Sequence, residues 1–155
     1  MPNWCENTLE VSGPTADIKA FKEKAKKEEG ENKTELSLAA FVPLPAELKD
    51  TRSPALTPDK RLINLYGFDN WYDWQIHNWG TKWDVNATIS SEKPRTLHYF
   101  FDSAWSPPIT WLEKVSAQFP TLKFKLKYDE PGMGFHGVAK AFEGHVDDEC
   151  FSDGM

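Results

Sequence analysis

A change in hydrophobic period at residue 83 constrains the fold more than any other feature of the sequence. Beyond it, apolar and polar residues alternate over 83–90, 97–102 and 122–129. Such alternation is typical of β-strands that bury one face and expose the other. Residues 135–144 are expected to add a last strand. The link Glu92-Lys93-Pro94 between the first two strands favours an antiparallel hairpin.

One stretch of this half has a helical period instead. Apolar residues spaced three or four positions apart predict a helix with one buried stripe, formed by Ile109, Leu112, Val115 and Phe119. Ser106 is expected to cap this helix, because Pro107 can occupy a first turn in which no N–H is needed.

The first half predicts two strands, 8–12 and 36–42, on either side of a helix. This helix is expected to begin with Thr15 as its cap and to end near Glu29, where Gly30 tolerates the left-handed cap conformation. Four prolines mark residues 43–58 as a long ordered connection. Short helices are expected over 59–66 and 70–79.

This order of elements predicts an α+β protein. Helices on one face of a mostly antiparallel sheet cover the apolar surfaces of both. We expect a ferredoxin-like split βαβ fold with an extra strand, in which residues 43–80 form a loop and helical insertion. Residues 1–146 are expected to form this single domain, whose other sheet face is polar and partly open.

The charge distribution separates the body of the chain from its end. The net charge of the 155 residues is −6, but five acids and no Lys or Arg lie in residues 143–155. We therefore expect a nearly neutral body followed by a frayed acidic tail over residues 147–155. A chain of this charge is not a generally basic nucleic-acid binder.

The sequence also predicts a compartment and an absence of catalytic groups. With no leader and no apolar run of roughly 18 residues, the chain is expected to be soluble, free of membrane contact and cytoplasmic in a bacterial host cell. Cys5 and Cys150 are then free thiols. Recognised motifs for nucleophilic catalysis, phosphate binding or zinc are missing, so no catalytic residue, cofactor or metal is predicted.

Four motifs rich in Trp, Asn, Gly and Pro occur in order along the chain. They are Asn3-Trp4-Cys5-Glu6-Asn7, Asn78-Trp79-Gly80-Thr81-Lys82-Trp83-Asp84, Ala104-Trp105-Ser106-Pro107-Pro108 and Tyr128-Asp129-Glu130-Pro131-Gly132. Together they resemble the YubB-like ferredoxin-domain proteins carried by bacteriophages, plasmids and some bacterial genomes. The resemblance implies a ferredoxin-like fold and a mobile-element origin, and it implies no particular activity.

The leading functional hypothesis is a non-catalytic binding protein that acts on a host protein partner. This origin and size would suit interference with a host defence system, by analogy alone. The candidate contact surfaces are loop 43–69 and the aromatic stretch 71–83, with Trp71 and Tyr72 as binding residues, because Trp and Tyr often dominate interfaces.

A second hypothesis is a small-molecule or nucleotide site, or an active site, at the corner formed by residues 78–84. Trp79 and Trp83 would flank the ligand while Asn78, Lys82 and Asp84 hold its polar groups. The structural alternative is a helix-to-strand corner with the indole rings in the core, which is the commoner role of Trp.

A third hypothesis is a nucleic-acid-binding module. The alternating strand 122–129 places Lys123, Lys125 and Lys127 on one sheet face, which His98 and Phe100 are expected to share. RNA-recognition domains of similar topology stack bases on such a face. The structural alternative is a solvated row of lysines.

Overall fold

A computed structural model of the chain describes residues 3–28 and 33–153. Six strands lie in this part: β1 (Trp4–Ser12), β2 (Ala87–Lys93), β3 (Thr96–Ala104), β4 (Lys123–Glu130), β5 (Phe135–Phe142) and β6 (His145–Ser152). Four α-helices accompany them: α1 (Thr15–Ala25), α2 (Lys60–Tyr66), α3 (Trp71–Trp79) and α4 (Ile109–Gln118). All neighbouring strands are antiparallel, in the order β2-β3-β1-β4-β5-β6.

The core lies between one face of this sheet and the helices. Along β1 every second side chain is buried, beginning with Cys5, and the residues between them face the open side. Phe21 of α1 is fully buried and meets the rings of Phe41, Tyr99, Phe119 and Phe124 at centroid distances of 4.9–6.1 Å. Many of the aromatic side chains therefore pack together in this core.

The two short helices agree with their sequence signals. Asp59 caps α2 by accepting hydrogen bonds from the main-chain N–H groups of Arg61 and Leu62. Asn70 caps α3 in the same way, through the N–H of Asp73. The predicted hairpin is also present, because β2 and β3 are antiparallel neighbours.

The prediction of a strand over 36–42 is wrong. These residues contain a 3-10 turn, Leu38–Ala40, whose first N–H groups bond to the carboxylate of Asp84. Leu36 and Leu38 are both fully buried without belonging to the sheet. The alternation that suggested a strand is thus satisfied by a turn that a distant residue caps.

Several predicted boundaries also change. Helix α1 ends at Ala25 rather than near Glu29, and the proposed stop at Gly30 lies outside the described residues. Pro14, not Thr15, occupies its N-cap position, and no side chain caps it. Strand β2 begins at Ala87, four residues after the start of the alternation.

The prediction that Ser106 caps α4 is also wrong. Pro108 occupies that position, and the Ser106 hydroxyl instead donates a 2.6 Å hydrogen bond to the carbonyl oxygen of Gly80. The serine therefore fastens two loops together instead of starting a helix.

The expected frayed acidic tail is wrong for residues 147–152. They belong to β6, which pairs along its whole length with β5 and forms one edge of the sheet. Most of its side chains are exposed, and charged residues are common on edge strands because they discourage pairing with other chains. An acidic composition was therefore compatible with a strand. Among the described residues, no helix is long and apolar enough to cross a membrane.

Candidate functional site

The four motifs of the sequence meet at one end of the sheet. The N–H of Trp105 donates a 2.8 Å hydrogen bond to the carbonyl oxygen of Asn3. Thr81 donates its hydroxyl to the carbonyl oxygen of Ala104 at 2.8 Å, which joins the second motif to the third. The fourth motif reaches the first at Gly132, where a Cβ atom would lie only 2.7 Å from Cγ of Asn3. Segments far apart in sequence thus build one structure.

A buried polar cluster supports this end from the helix side. The side-chain amide of Asn7 donates hydrogen bonds to the carbonyl oxygen of Cys5 at 3.0 Å and to the hydroxyl of Ser103 at 2.9 Å. Ser103 in turn donates to the carbonyl oxygen of Ser106 at 2.6 Å. Glu130 is fully buried beside them and accepts a hydrogen bond from the N–H of Met133. The cluster holds the strand ends and the following loops in place.

Cys5 belongs to this cluster, and its thiol is unreactive. Burial raises the pKa of its thiol to about 12, against the lowering effect of the Ser103 hydrogen bond and with a smaller contribution from the nearby carboxylate of Glu130. The thiol is therefore protonated at neutral pH, and a protonated thiol is a poor nucleophile. Cys5 and Cys150 are both free, as the sequence predicted.

Above the cluster lie three exposed tryptophans, Trp4, Trp83 and Trp105, which we call the tryptophan surface. Their side chains are 46%, 40% and 42% exposed. The rings of Trp4 and Trp83 are in contact, with centroids 6.1 Å apart. Trp105 follows Ala104, the residue that pairs with Trp4 across the sheet. Large side chains that remain exposed next to one another are typical of interaction sites.

The backbone of Trp105 is strained. Its φ angle is +69°, in the left-handed region that a bulky side chain rarely adopts. The hydrogen bond to Asn3 and the two prolines that follow hold it there. A strained backbone persists only where the surrounding contacts hold it, and such residues are concentrated at functional sites.

Charged groups border the tryptophan surface on two sides. The ammonium group of Lys82 lies 4.3 Å from the ring centroid of Trp83, so the ring face already accepts a cation. On the open face of the sheet, Glu6 is paired with Asp102 on one side and with Asp129 on the other. None of these three exposed carboxylates forms an ion pair with a described residue. This row of like charges gives the surface an acidic rim.

Within the described part of the chain, the five side chains predicted at the Asn78–Asp84 corner do not converge on one ligand pocket. The ring of Trp79 is only 2% exposed, and its N–H donates to the carbonyl oxygen of Val42 at 2.8 Å. The carboxylate of Asp84 is occupied by the turn at residues 37–39. Asn78 bonds to Trp74 and Lys114. Of the five predicted residues, Trp83 and Asp84 are exposed, Asn78 and Lys82 are half-buried, and Trp79 is buried.

Trp71 and Tyr72 lie apart from this corner, at the other end of α3. Tyr72 is 38% exposed, whereas Trp71 is half-buried and its main-chain N–H donates a hydrogen bond to the hydroxyl of Thr51. The length of the helix separates them from Trp79 by about 12 Å along its axis. They stay a predicted contact surface of their own, next to loop 43–69.

The lysine row lies on the open face, as the alternation of β4 predicted. Lys125 and Lys127 pair with Glu10 and Thr8 of β1, which pair in turn with His98 and Phe100 of β3. The five residues of the nucleic-acid hypothesis, Lys123, Lys125, Lys127, His98 and Phe100, thus share one face. The intervening β1 contributes acids, however, and Glu10 lies 3.3 Å from the imidazole of His98.

Sequence reasoning missed Trp4 and Trp105 as site residues, although both stand in the quoted motifs. The available signal was the alternation of β1, which continues back from Val11 to Cys5 and places Trp4 on the polar side. The exposure of Trp105 depends on its left-handed backbone, which no local pattern indicates.

Comparisons with known proteins agree with the architecture. Residues 78–154 match the family model described as "Ferredoxin-like domain in Api92-like protein". The crystal structure of protein api92 from Yersinia pseudotuberculosis superposes with a TM-score of 0.63, covering 100% of both chains at 15% sequence identity. No curated protein matches the chain. The predicted α+β, ferredoxin-like fold is therefore confirmed, and residues 78–154 are similar to the ferredoxin-like domain of Api92-like proteins.

Proposed function

We propose that this chain is a non-catalytic binding protein that acts on a protein partner through the tryptophan surface. The observation that carries the proposal is the exposure of Trp4, Trp83 and Trp105 at the place where the four motifs meet. Tryptophan is the residue most enriched among those that dominate binding energy at protein interfaces. The resemblance to YubB-like proteins adds a bacterial host protein as the partner, a phage or plasmid origin, and antagonism of host defence as the biological role.

The area available for burial suits this role. With each tryptophan at least two-fifths exposed, a partner could cover about 100 Å² per ring. Burial of three rings would contribute about 7 kcal/mol before the cost of association is subtracted. The rings of Trp4 and Trp83 already contact each other, so part of their side-chain freedom is lost before binding.

The acidic rim favours a partner with basic residues around its contact area. Glu6, Asp102 and Asp129 would speed its approach and set its orientation, since complementary charge acts mainly on the association rate and on specificity. The same acids weigh against the nucleic-acid alternative, because phosphates on this face would meet carboxylates of the central strand.

The test is affinity capture from a bacterial host lysate treated with nuclease, read by mass spectrometry. Two matched double variants decide the surface: Trp4→Ala with Trp83→Ala, and Trp71→Ala with Tyr72→Ala. We expect one stoichiometric protein that survives nuclease, is lost with the first variant and is kept by the second.

The reverse pattern would move the contact to the insertion and contradict the proposed surface. Capture that disappears with nuclease would contradict the protein partner itself and support the nucleic-acid alternative. Thermal unfolding of each variant shows that a loss of capture does not come from a loss of the fold.

A further inference from the structure

A groove of about 570 Å³ lies at the other end of the open sheet face, away from the tryptophan surface. Its walls come from β1, β4, β5 and the turn that leads into β6, and the residues used below are Glu10, Lys123, Lys125, Lys140 and Phe142. This volume is within the range of pockets that hold small molecules.

Three lysines line the groove. Lys125 and Lys140 are directly opposite each other across β4 and β5, and Lys123 precedes them on the same face. None of the three forms an ion pair with a residue of 3–28 or 33–153. Like charges placed directly opposite are unfavourable in a sheet, so an anion bound between them would relieve their repulsion.

An aromatic side chain lies beside these lysines. Phe142 is 40% exposed and lines the same groove, next to His145, its partner in the β5–β6 hairpin. An exposed ring next to cationic groups can stack on a flat heterocycle while the cations hold phosphate.

The charges around the groove limit the size of the anion. Glu10 borders the lysines on β1, and Asp147 is opposite Lys140 on β6. Glu149 continues the acidic border two residues further along β6. Glu143 lines the groove together with Glu10. A nucleic-acid strand crossing this face would meet carboxylates on both sides of the lysines, whereas a small anion needs to reach only the lysines.

We infer that this groove binds a small phosphorylated molecule with a flat ring, of the nucleotide class, with its phosphates on Lys123, Lys125 and Lys140 and its ring on Phe142. The site is separate from the tryptophan surface, so its occupancy does not depend on the proposed protein partner.

Titrations with adenosine diphosphate, guanosine diphosphate, adenosine and pyrophosphate, followed by amide NMR and calorimetry, test this inference. We expect a diphosphate nucleotide to shift amides of β4 and β5, and adenosine to bind at least tenfold more weakly. Lys125→Gln with Lys140→Gln should weaken nucleotide binding at least tenfold. Lys49→Gln with Lys60→Gln, a charge-matched control among exposed residues of the insertion, should leave it unchanged.

Phe142→Ala separates the two halves of the ligand, since it should weaken nucleotide binding several-fold and leave pyrophosphate unaffected. The inference is overturned if none of the four probes binds at millimolar concentration, or if the double lysine variant binds as well as wild type. It is also overturned if a 12-nucleotide DNA binds far more tightly than the diphosphates, because that result would indicate a polyanion site. The variant Trp4→Ala with Trp83→Ala should bind nucleotide normally.

Discussion

Two buried tryptophans of this chain differ from the exposed ones in what their indole N–H groups do. Trp79 and Trp111 are at most 2% exposed, and each donates a hydrogen bond to a main-chain carbonyl, of Val42 at 2.8 Å and of Leu38 at 3.1 Å. The indoles of the tryptophan surface donate to no described residue. Buried rings therefore fasten the long 33–45 segment to the core, whereas exposed rings leave both an apolar face and a donor for a partner.

The same contrast runs through one short motif. Trp79 and Trp83 are four residues apart, yet Gly80 turns the chain between them with a φ angle of +88°, which ends α3. The first indole points into the core and the second lies on the surface. Residue type alone does not separate structural from functional tryptophans, but exposure does, since Trp79 is 2% exposed and Trp83 is 40% exposed.

The largest expected effect on stability is at Trp111. Replacement by Ala should lower the free energy of unfolding by about 3–5 kcal/mol, because it leaves a cavity in the core and removes the hydrogen bond from the indole to the carbonyl oxygen of Leu38. Urea unfolding measures this. Trp111→Phe should recover most of the packing and lose about 1–2 kcal/mol, and an Ala variant as stable as wild type would break the distinction between the two sets of tryptophans.

Asp84 comes next, and it tests whether the Asn78–Asp84 corner is structural. Asp84→Ala should cost about 1.5–3 kcal/mol of unfolding free energy, since its carboxylate accepts from the hydroxyl of Ser37 and the N–H groups of Leu38 and Ala39. Asp102→Ala is the control, as an exposed carboxylate in a row of like charges, and should change stability by less than about 0.5 kcal/mol. Equal changes in unfolding free energy for the two variants would show that the Asn78–Asp84 corner is not structural.

How much of this the sequence could predict depends on where the deciding contact lies. Helices α2 and α3 were predictable because their caps, Asp59 and Asn70, are adjacent to them. The turn at residues 38–40 was not, because its cap is Asp84, more than forty residues away. Local patterns of apolar residues could not distinguish a strand from a buried turn there.

The site was partly predictable for the same reason. Trp83 and Lys82 were identified from their motif, and the shared face of Lys123, Lys125 and Lys127 followed from simple alternation. The convergence of four distant motifs on one sheet end could not be read from any of them. Nor could the lysine groove, because Lys140 joins the row only through the register of β5 with β4.

Trp105 offers a smaller and more specific test of the tryptophan surface. Because its φ angle is +69°, Trp105→Gly should be about 1–2 kcal/mol more stable than Trp105→Ala, although Gly is usually the less stable choice. Both variants should lose partner capture to the same extent. Equal stability of the Gly and Ala variants would show that the left-handed backbone is not maintained in solution.

The smallest expected effect is at Trp83. Trp83→Ala removes an exposed ring, a contact with Trp4 and a cation–π contact with Lys82, so it should lower the unfolding free energy by less than about 1 kcal/mol. If the tryptophan surface is the interface, the same change should weaken partner binding by more than 2 kcal/mol, or about thirtyfold. A substitution at an exposed binding residue is expected to change the free energy of unfolding little and the free energy of binding much, whereas a substitution at a core residue lowers stability. If Trp83→Ala lowers the free energy of unfolding as much as Trp111→Ala does, Trp83 is a structural tryptophan. That result would contradict the proposed tryptophan surface.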